Sequence, residues 1–322
     1  MNHSPPLSGL FAFWSPMQAI DLFAGAGGFS TGAAMAGVQV VWAANHWPLA
    51  VKYHAANHPA ADHLCQDLHQ ADWSEVPATD IMLAAPCCQG HSNARGKAKG
   101  NPQHDASRST AWAVVSAAEC LRPQGIVIEN VPEFLQWDLF PAWELAMQKL
   151  SYTLSPHIVD AADHGVPQHR VRMFIIATKS RAPLVLDLPK RAHVPASAFL
   201  DFDSGRWSQI VKPRRSCATL ARVAAGRAAH GDRFLAPYYG SGSGTTGRSL
   251  HRPIGTVTTK ARWALIDGNR MRMLTVPESC AAMGFPKDYQ LPPQTHQAIH
   301  LLGNAVCPPV ARDVIRALIE QI

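Results

Sequence analysis

Four short segments of this 322-residue chain hold the residue types that could do chemistry. The first is PCCQGHS, Pro86 to Ser92. A cysteine there can attack as a thiolate once its surroundings lower the thiol pKa from about 8.5. The alternatives are a buried structural thiol, or a metal site made of Cys87, Cys88 and His91. Adjacent cysteines reach a single tetrahedral ion with difficulty and no second Cys/His pair is evident, so no metal is expected. The second segment is ENV, whose Glu129 ends an apolar run, where a carboxylate is costly unless paired or used. The third is QHRVR, with Gln168, Arg170 and Arg172. Residues two apart in a strand share a face, so the arginines would stand together, with His169 and Val171 opposite. Such a pair offers donors to phosphate or carbonyl oxygens, a salt-bridged surface strand being the plain alternative. The fourth is DLFAGAGGFS, Asp21 to Ser30, where Gly25, Gly27 and Gly28 let the backbone turn tightly and approach a ligand at a helix start. It lacks the GxGxxG spacing of NAD or FAD turns, and a purely structural turn is the alternative.

These segments need strands to present them. MQAIDLF (Met17 to Phe23), VQVVWAA (Val38 to Ala44), DIMLAA (Asp80 to Ala85) and GIVIE (Gly125 to Glu129) are short apolar runs bounded by turn residues, the pattern of strands covered on both faces. Helical stretches lie between them: GFSTGAAMAG, helix-forming through Met35 with Gly37 as its stop, then LAVKYHAA and STAWAVVSAAECL. This alternation predicts a doubly wound α/β domain with a mostly parallel sheet, whose ligands bind outside the carboxyl ends of the strands. The chemical segments fall at those ends.

Composition sets the outer bounds. With 47% hydrophobic and 16% charged residues the chain can bury a core, and no apolar run approaches the ~18 residues of a membrane span. The start, MNHSPPLSGLFAFW, lacks the basic n-region of a secretory signal. Seven cysteines without a CxxC pair do not resemble a disulfide framework, which favours a reducing, cytoplasmic setting. The net charge of +6 is unevenly spread. From Lys179 to Arg272 stand 17 basic and 5 acidic residues, a local +12, leaving −6 for the rest. That window contains KPRR (Lys212 to Arg215) and the glycine-rich YYGSGSGTTG (Tyr238 to Gly247), a surface-loop sequence. A basic segment carried by an acidic body is the footprint expected of a module that neutralises phosphates; a solvated basic surface is the alternative.

The ordered set DLFAGAGGFS, PCCQGHS, ENV, GVPQHRVR, RMLTVPESCAAMGFP (Arg272 to Pro286) and GNAVCPPVA (Gly303 to Ala311) resembles the cytosine-5 DNA methyltransferases over nearly the whole chain except the basic window. The resemblance implies a class I, Rossmann-like catalytic domain over residues 1–178, a target-recognition domain over 179–271, and a C-terminal segment, 272–322, that returns to the catalytic domain. It implies methyl transfer from S-adenosylmethionine to carbon 5 of a cytosine flipped out of double-stranded DNA. Registering on Gln89, Gly90 and Ser92 makes Cys88 the nucleophile for carbon 6, with Cys87 in place of the family's second proline. Glu129 would contact ring nitrogen 3, Arg172 the carbonyl oxygen, and Arg170 the base or its adjoining backbone. Phe23, Gly25, Gly27, Gly28, Asn45, His46, Asp67, Pro86, Asn304 and Ala305 would form the cofactor pocket. Gln89, Ser92, Gln168, Lys212, Arg214, Arg215, Arg252, Thr258, Thr259 and Lys260 would meet DNA.

Two further departures stand out. His91 replaces the aromatic residue that usually precedes Ser92, and Asn45, His46, Trp47 replace the acidic end of the second strand that grips the ribose. His46 lacks the two acceptor oxygens of a carboxylate, so a modified S-adenosylmethionine remains an alternative. A transfer RNA cytosine methyltransferase is another. Against it stand the basic insert of about 94 residues and RPIGTVTTKARWALI (Arg252 to Ile266), which resembles the threonine-containing core of DNA-reading inserts. A catalytically dead nucleic-acid binder is disfavoured by Cys88, Glu129 and Arg172. The chain is expected to act as a monomer, and a restriction-modification role would pair it with a cognate endonuclease.

Overall fold

The computed structural model describes residues 16–87, 102–239 and 246–322, with the backbone alone for 102–109. Two sheets organise the chain. The first has seven strands: β1 (Gln18–Leu22), β2 (Gln39–Asn45), β3 (Asp62–Cys65), β4 (Ile81–Ala84), β5 (Gly125–Asn130), β6 (Thr153–Asp160) and β7 (Val171–Thr178). Their order is β3-β2-β1-β4-β5-β7-β6; the first five are parallel, while β7 runs antiparallel to both β5 and β6. This is a class I methyltransferase fold.

Alternation sets the two faces. Ala19, Ile81, Leu83, Val127, Phe174 and Ile176 point to one side, where α1 (Gly28–Ala36) and α8 (Pro308–Ile319) pack. Ile20, Leu22, Met82, Ala84, Ile126 and Ile128 point to the other, under α3 (Pro102–Leu121) and α4 (Phe140–Lys149). Close approach of α1 to α8 depends on small residues: a Cβ on Gly32 would stand 2.4 Å from the Ala311 Cβ. α2 (Pro48–Asn57) leads from β2 to β3. The strand order reverses between β1 and β4, the switch point at which such sheets bind ligands.

The second sheet is antiparallel, in the order β8 (Ser208–Gln209), β11 (Arg270–Met273), β10 (Trp263–Asp267), β9 (Arg233–Pro237). Its apolar face is covered by α5 (Cys217–His230), where Gly226 admits the Phe234 ring: a Cβ there would be 2.2 Å from it. From this sheet the chain returns through α6 (Val276–Ala282) and α7 (Thr295–Asn304) to α8 on the first sheet. Among the described residues no helix is long and apolar enough to cross a membrane.

Candidate active site

The carboxyl ends of β1 to β4 form one edge. Ala24 N donates to Ala44 O (3.0 Å), Gln66 N to Asn45 O (3.2 Å) and Ala85 N to Leu22 O (3.1 Å), so the turn after β1, Asn45 and His46, Asp67 and Pro86 stand in a row. Phe23 holds a left-handed backbone, φ 61°, a strain of about 1–3 kcal/mol that persists where surrounding contacts over-determine it. The three turn glycines then divide. Among the described residues a Cβ on Gly25 would meet only Phe23 O, at 3.7 Å, which leaves space beside it. A Cβ on Gly27 would stand 2.6 Å from the Tyr289 hydroxyl and 2.9 Å from His58 Nε2, and one on Gly28 only 2.0 Å from Val306 O. Gly27 and Gly28 therefore admit close-packed protein, whereas Gly25 is uncrowded among the described residues.

The turn is held from beneath. Asp21, wholly buried on β1, accepts from Ser30 N (3.2 Å) and Ser30 Oγ (2.7 Å), doing for α1 the work of a helix cap. With its proton given to Asp21, Ser30 Oγ accepts from His54 Nε2 (3.0 Å), and His54 Nδ1 is hydrogen-bonded to His63 Nε2 (2.8 Å). Tyr289 donates its hydroxyl to Ala26 O. Burial, then the nearby His54, lowers the His58 pKa to about 4, so at neutral pH His58 is an uncharged filler behind the turn. Asn45 Oδ1 accepts from Trp47 N (2.9 Å), His46 is exposed, and the exposed Asp67 caps a 3₁₀ turn by accepting from His69 N (3.1 Å).

The next two strand ends carry reactive groups. Pro86 O accepts from Asn130 Nδ2 (3.2 Å), and Cys87 N donates to Thr110 Oγ1 (3.0 Å), fixing where the loop leaves β4. Cys88, Gln89, His91 and Ser92 lie outside the described residues. Glu129, on β5 opposite Phe174 of β7, places Oε1 3.2 Å from Arg172 Nε. Burial raises the Glu129 pKa, and the opposing charges of Arg172 and Arg170 do not cancel the effect. Arg170 and Arg172 share a concave wall with Glu129, Val306 and Cys307, while the side chains between and before them, Val171 and His169, are exposed. Burial pushes the Cys307 thiol up to about 11, which makes it a poor nucleophile.

Two members of QHRVR differ from expectation. Gln168, expected at DNA, is fully enclosed: its Oε1 accepts from Val257 N (2.5 Å) and its Nε2 donates to Ala282 O (3.0 Å). Arg170, expected beside the base, donates to the carbonyls of Val257 (3.2 Å), Gly303 (3.1 Å) and Ala305 (2.9 Å). Both amide and guanidinium serve the backbone of distant segments, which strand spacing cannot reveal.

Elsewhere, Thr259 and Lys260 border an open hollow with Thr295 and His296, and Thr258 Oγ1 donates to Lys260 O (3.0 Å). Asn304 is exposed at the end of α7 and Ala305 buried. Arg252 is exposed and its carbonyl accepts from Ala196 N (3.0 Å). Lys212 and Arg214 are exposed beyond edge strand β8, whereas Arg215 folds onto Ile210 O (3.0 Å) and Gln209 O (2.8 Å). Sequence reasoning missed Thr110, Asn130, Tyr289 and Gly303; Asn130 and Gly303 lie inside the quoted motifs, but nothing in the sequence marks the other two. Among the described residues no group of three or more His, Cys, Asp or Glu could hold a metal ion.

The profile of the C-5 cytosine-specific DNA methylases matches residues 17–214 and 204–320. The chain belongs to this family. The Type II methyltransferase M.NlaX of Neisseria lactamica is 27% identical over 95% of this chain and 96% of its own length, and M.HhaI of Haemophilus parahaemolyticus 26% identical over 90% of each. A prophage-encoded E. coli protein, described as a DNA modification methyltransferase, superimposes with a TM-score of 0.69 at 21% identity, covering 94% of this chain and 99% of its own.

As a family member this methyltransferase transfers the methyl group of S-adenosylmethionine to carbon 5 of cytosine in DNA. The RNA alternative is not favoured by its relatives. The edge at β1 to β4 fits that donor: among the described residues there is room beside Gly25, Phe23 is a strained aromatic, and Asn45, His46 and Asp67 bring polar groups along adjacent strand ends. The row of strand ends at β1 to β4 and the carboxyl–guanidinium wall at β5 and β7 thus meet where Pro86 leaves β4.

Proposed function

We propose that Cys88, Glu129 and Arg172 carry the reaction, and that the observation behind this reading is the buried Glu129 held 3.2 Å from Arg172 with its pKa raised. A carboxyl in that condition carries a proton at higher pH than usual and can donate it. The Cys88 sulfur adds to carbon 6 of the flipped cytosine; the 5,6 double bond opens, ring nitrogen 3 takes the Glu129 proton, and carbon 5 becomes nucleophilic. Arg172 orients the ring through its carbonyl oxygen. S-adenosylmethionine, when bound, supplies an electrophilic methyl on a sulfonium leaving group. Carbon 5 then loses its proton to solvent, the sulfur leaves carbon 6, and Glu129 recovers its proton from nitrogen 3. Phe23, Gly25, Asn45, His46, Asp67, Pro86, Asn304 and Ala305 bind the cofactor, with Gly27 and Gly28 shaping the turn behind it.

The division at 1–178, 179–271 and 272–322 is the organisation we favour for catalysis, recognition and return. It is supported by β7 ending at Thr178 and by β8 to β11 forming a separate sheet, although β11 runs on to Met273. Arg252, Thr258, Thr259 and Lys260, with Gln89 and Ser92, read the duplex; Lys212, Arg214 and the more committed Arg215 add charge. Flipping costs a few kcal/mol, which such contacts offset. Its relatives' Type II names favour a restriction-modification role beside a cognate endonuclease, for a monomer acting in the cytoplasm.

Labelled methyl from S-adenosylmethionine should enter duplex DNA and not RNA, and bisulfite sequencing of DNA from expressing cells should locate the site. Label in RNA alone, or none in either, would overturn the reading.

A further inference from the structure

Three segments far apart in sequence meet at one joint. The strap Ile254–Thr259, leading into β10, is bound to Pro167–Arg170: Ile254 N donates to Pro167 O (3.0 Å), His169 N to Ile254 O (2.7 Å) and Thr256 Oγ1 to His169 O (3.0 Å). Val257 is clamped at both ends of its peptide, its N–H by Gln168 Oε1 and its carbonyl by Arg170 Nη1. The same guanidinium holds Gly303 O and Ala305 O at the end of α7. Gly303 itself lies against the strap: a Cβ there would stand 2.3 Å from Thr258 C and Thr259 N. Those obstacles are backbone atoms, so any side chain at 303 must move the strap or the helix end.

We infer that Gly303 is a positioning residue that couples DNA engagement at Thr258 and Thr259 to cofactor closure at Asn304 and Ala305, with Gln168 and Arg170 holding the joint. The inference rests on the roles proposed above for those four residues. Thr259 borders the open hollow on one side of the contact, with Thr258 just before it, and Asn304 is the next residue on the other. A shift of the strap on DNA therefore presses on the peptide that leads into the cofactor pocket. Coupling of this kind is reciprocal: the factor by which cofactor tightens DNA equals the factor by which DNA tightens cofactor.

The test uses the full chain, S-adenosylhomocysteine as an unreactive cofactor, and a fluorescein-labelled duplex carrying the mapped site, read by anisotropy. For the natural chain, cofactor should tighten DNA binding by about fivefold or more. Gly303→Ala should bring that factor to within about twofold of unity, while S-adenosylhomocysteine affinity without DNA changes by less than about threefold. A folded Gly303→Ala variant that keeps the full factor, or a natural chain that shows none, overturns the inference. If Gly303→Ala does not fold, Gln168→Met is read in its place with the same two outcomes. Asn304→Ala separates the levels: unchanged S-adenosylhomocysteine affinity there overturns the cofactor reading and the joint with it, whereas a full factor in Gly303→Ala overturns the joint alone.

Discussion

Arg172 with Glu129 and Arg272 with Glu278 are the same chemical pair in two settings. In the second, the two guanidinium nitrogens meet the two carboxylate oxygens at 2.7 Å each, with side chains 1% and 3% exposed. Glu278 also accepts from Thr275 N (2.8 Å) and Asp201 N (3.0 Å), and Arg272 donates onward to Asp201 O (2.6 Å). Burial alone would raise the Glu278 pKa, but the hydrogen bonds from Arg272, Thr275 and Asp201 and the charge of Arg272 together outweigh it and hold the carboxyl low. At Glu129 there is, among the described residues, one ionic contact of 3.2 Å, and burial wins. A saturated carboxylate fixes structure; a buried one with a single cationic contact keeps a proton to move.

Matched substitutions should pull the pairs apart. Glu129→Gln should lower kcat by about 100- to 10,000-fold while leaving thermal melting nearly unchanged. Glu278→Gln should do the reverse, costing about 3–5 kcal/mol of stability in a denaturant titration, with kcat nearly unchanged where the variant stays folded. Equal effects on both quantities would erase the distinction.

Titration sharpens it further. Because the folded-state pKa of Glu278 is lowered, its contribution to stability is present above the ordinary carboxylate pKa of 4.5 and is lost as pH falls below it. Stability of the natural chain should therefore fall more steeply in acid than that of Glu278→Gln. Glu129 has its pKa raised, so the rate should decline as pH rises through that raised value, and Glu129→Gln should remove this limb. A limb that survives the substitution assigns the proton elsewhere.

The smallest effect concerns surface charge. Replacing Lys212 and Arg214 by Gln should make the salt dependence of DNA affinity shallower by about one for each phosphate no longer neutralised, with S-adenosylhomocysteine affinity unchanged. Equal weakening of both affinities would mark that segment as structural. Arg215, already spent on the Gln209 and Ile210 carbonyls, should contribute less to the slope than its neighbours.

Much of the fold was legible because buried parallel strands write themselves as apolar runs: β1, β2, β4 and β5 lie within a residue or two of their predicted limits. β3, DHLC, is a partly exposed edge strand with no apolar signal, and β6 carries Pro156 on the other edge; neither could be read. In the site, residue types at strand ends were readable and their partners were not. Nothing in the spacing joins Glu129 to Arg172 across β5 and β7, or turns Arg170 toward Val257 and Gly303. Gly28 reads as a ligand glycine, yet its missing Cβ makes room for Val306, 278 residues on.

The most direct measurement is covalent capture on a duplex bearing 5-fluorocytosine at the mapped site, where fluorine blocks the final loss from carbon 5. With S-adenosylmethionine present, the natural chain and Cys87→Ser should give a denaturation-resistant protein–DNA species, and Cys88→Ser should give none. Absence of that species from the natural chain, or its loss in Cys87→Ser alone, would contradict the account.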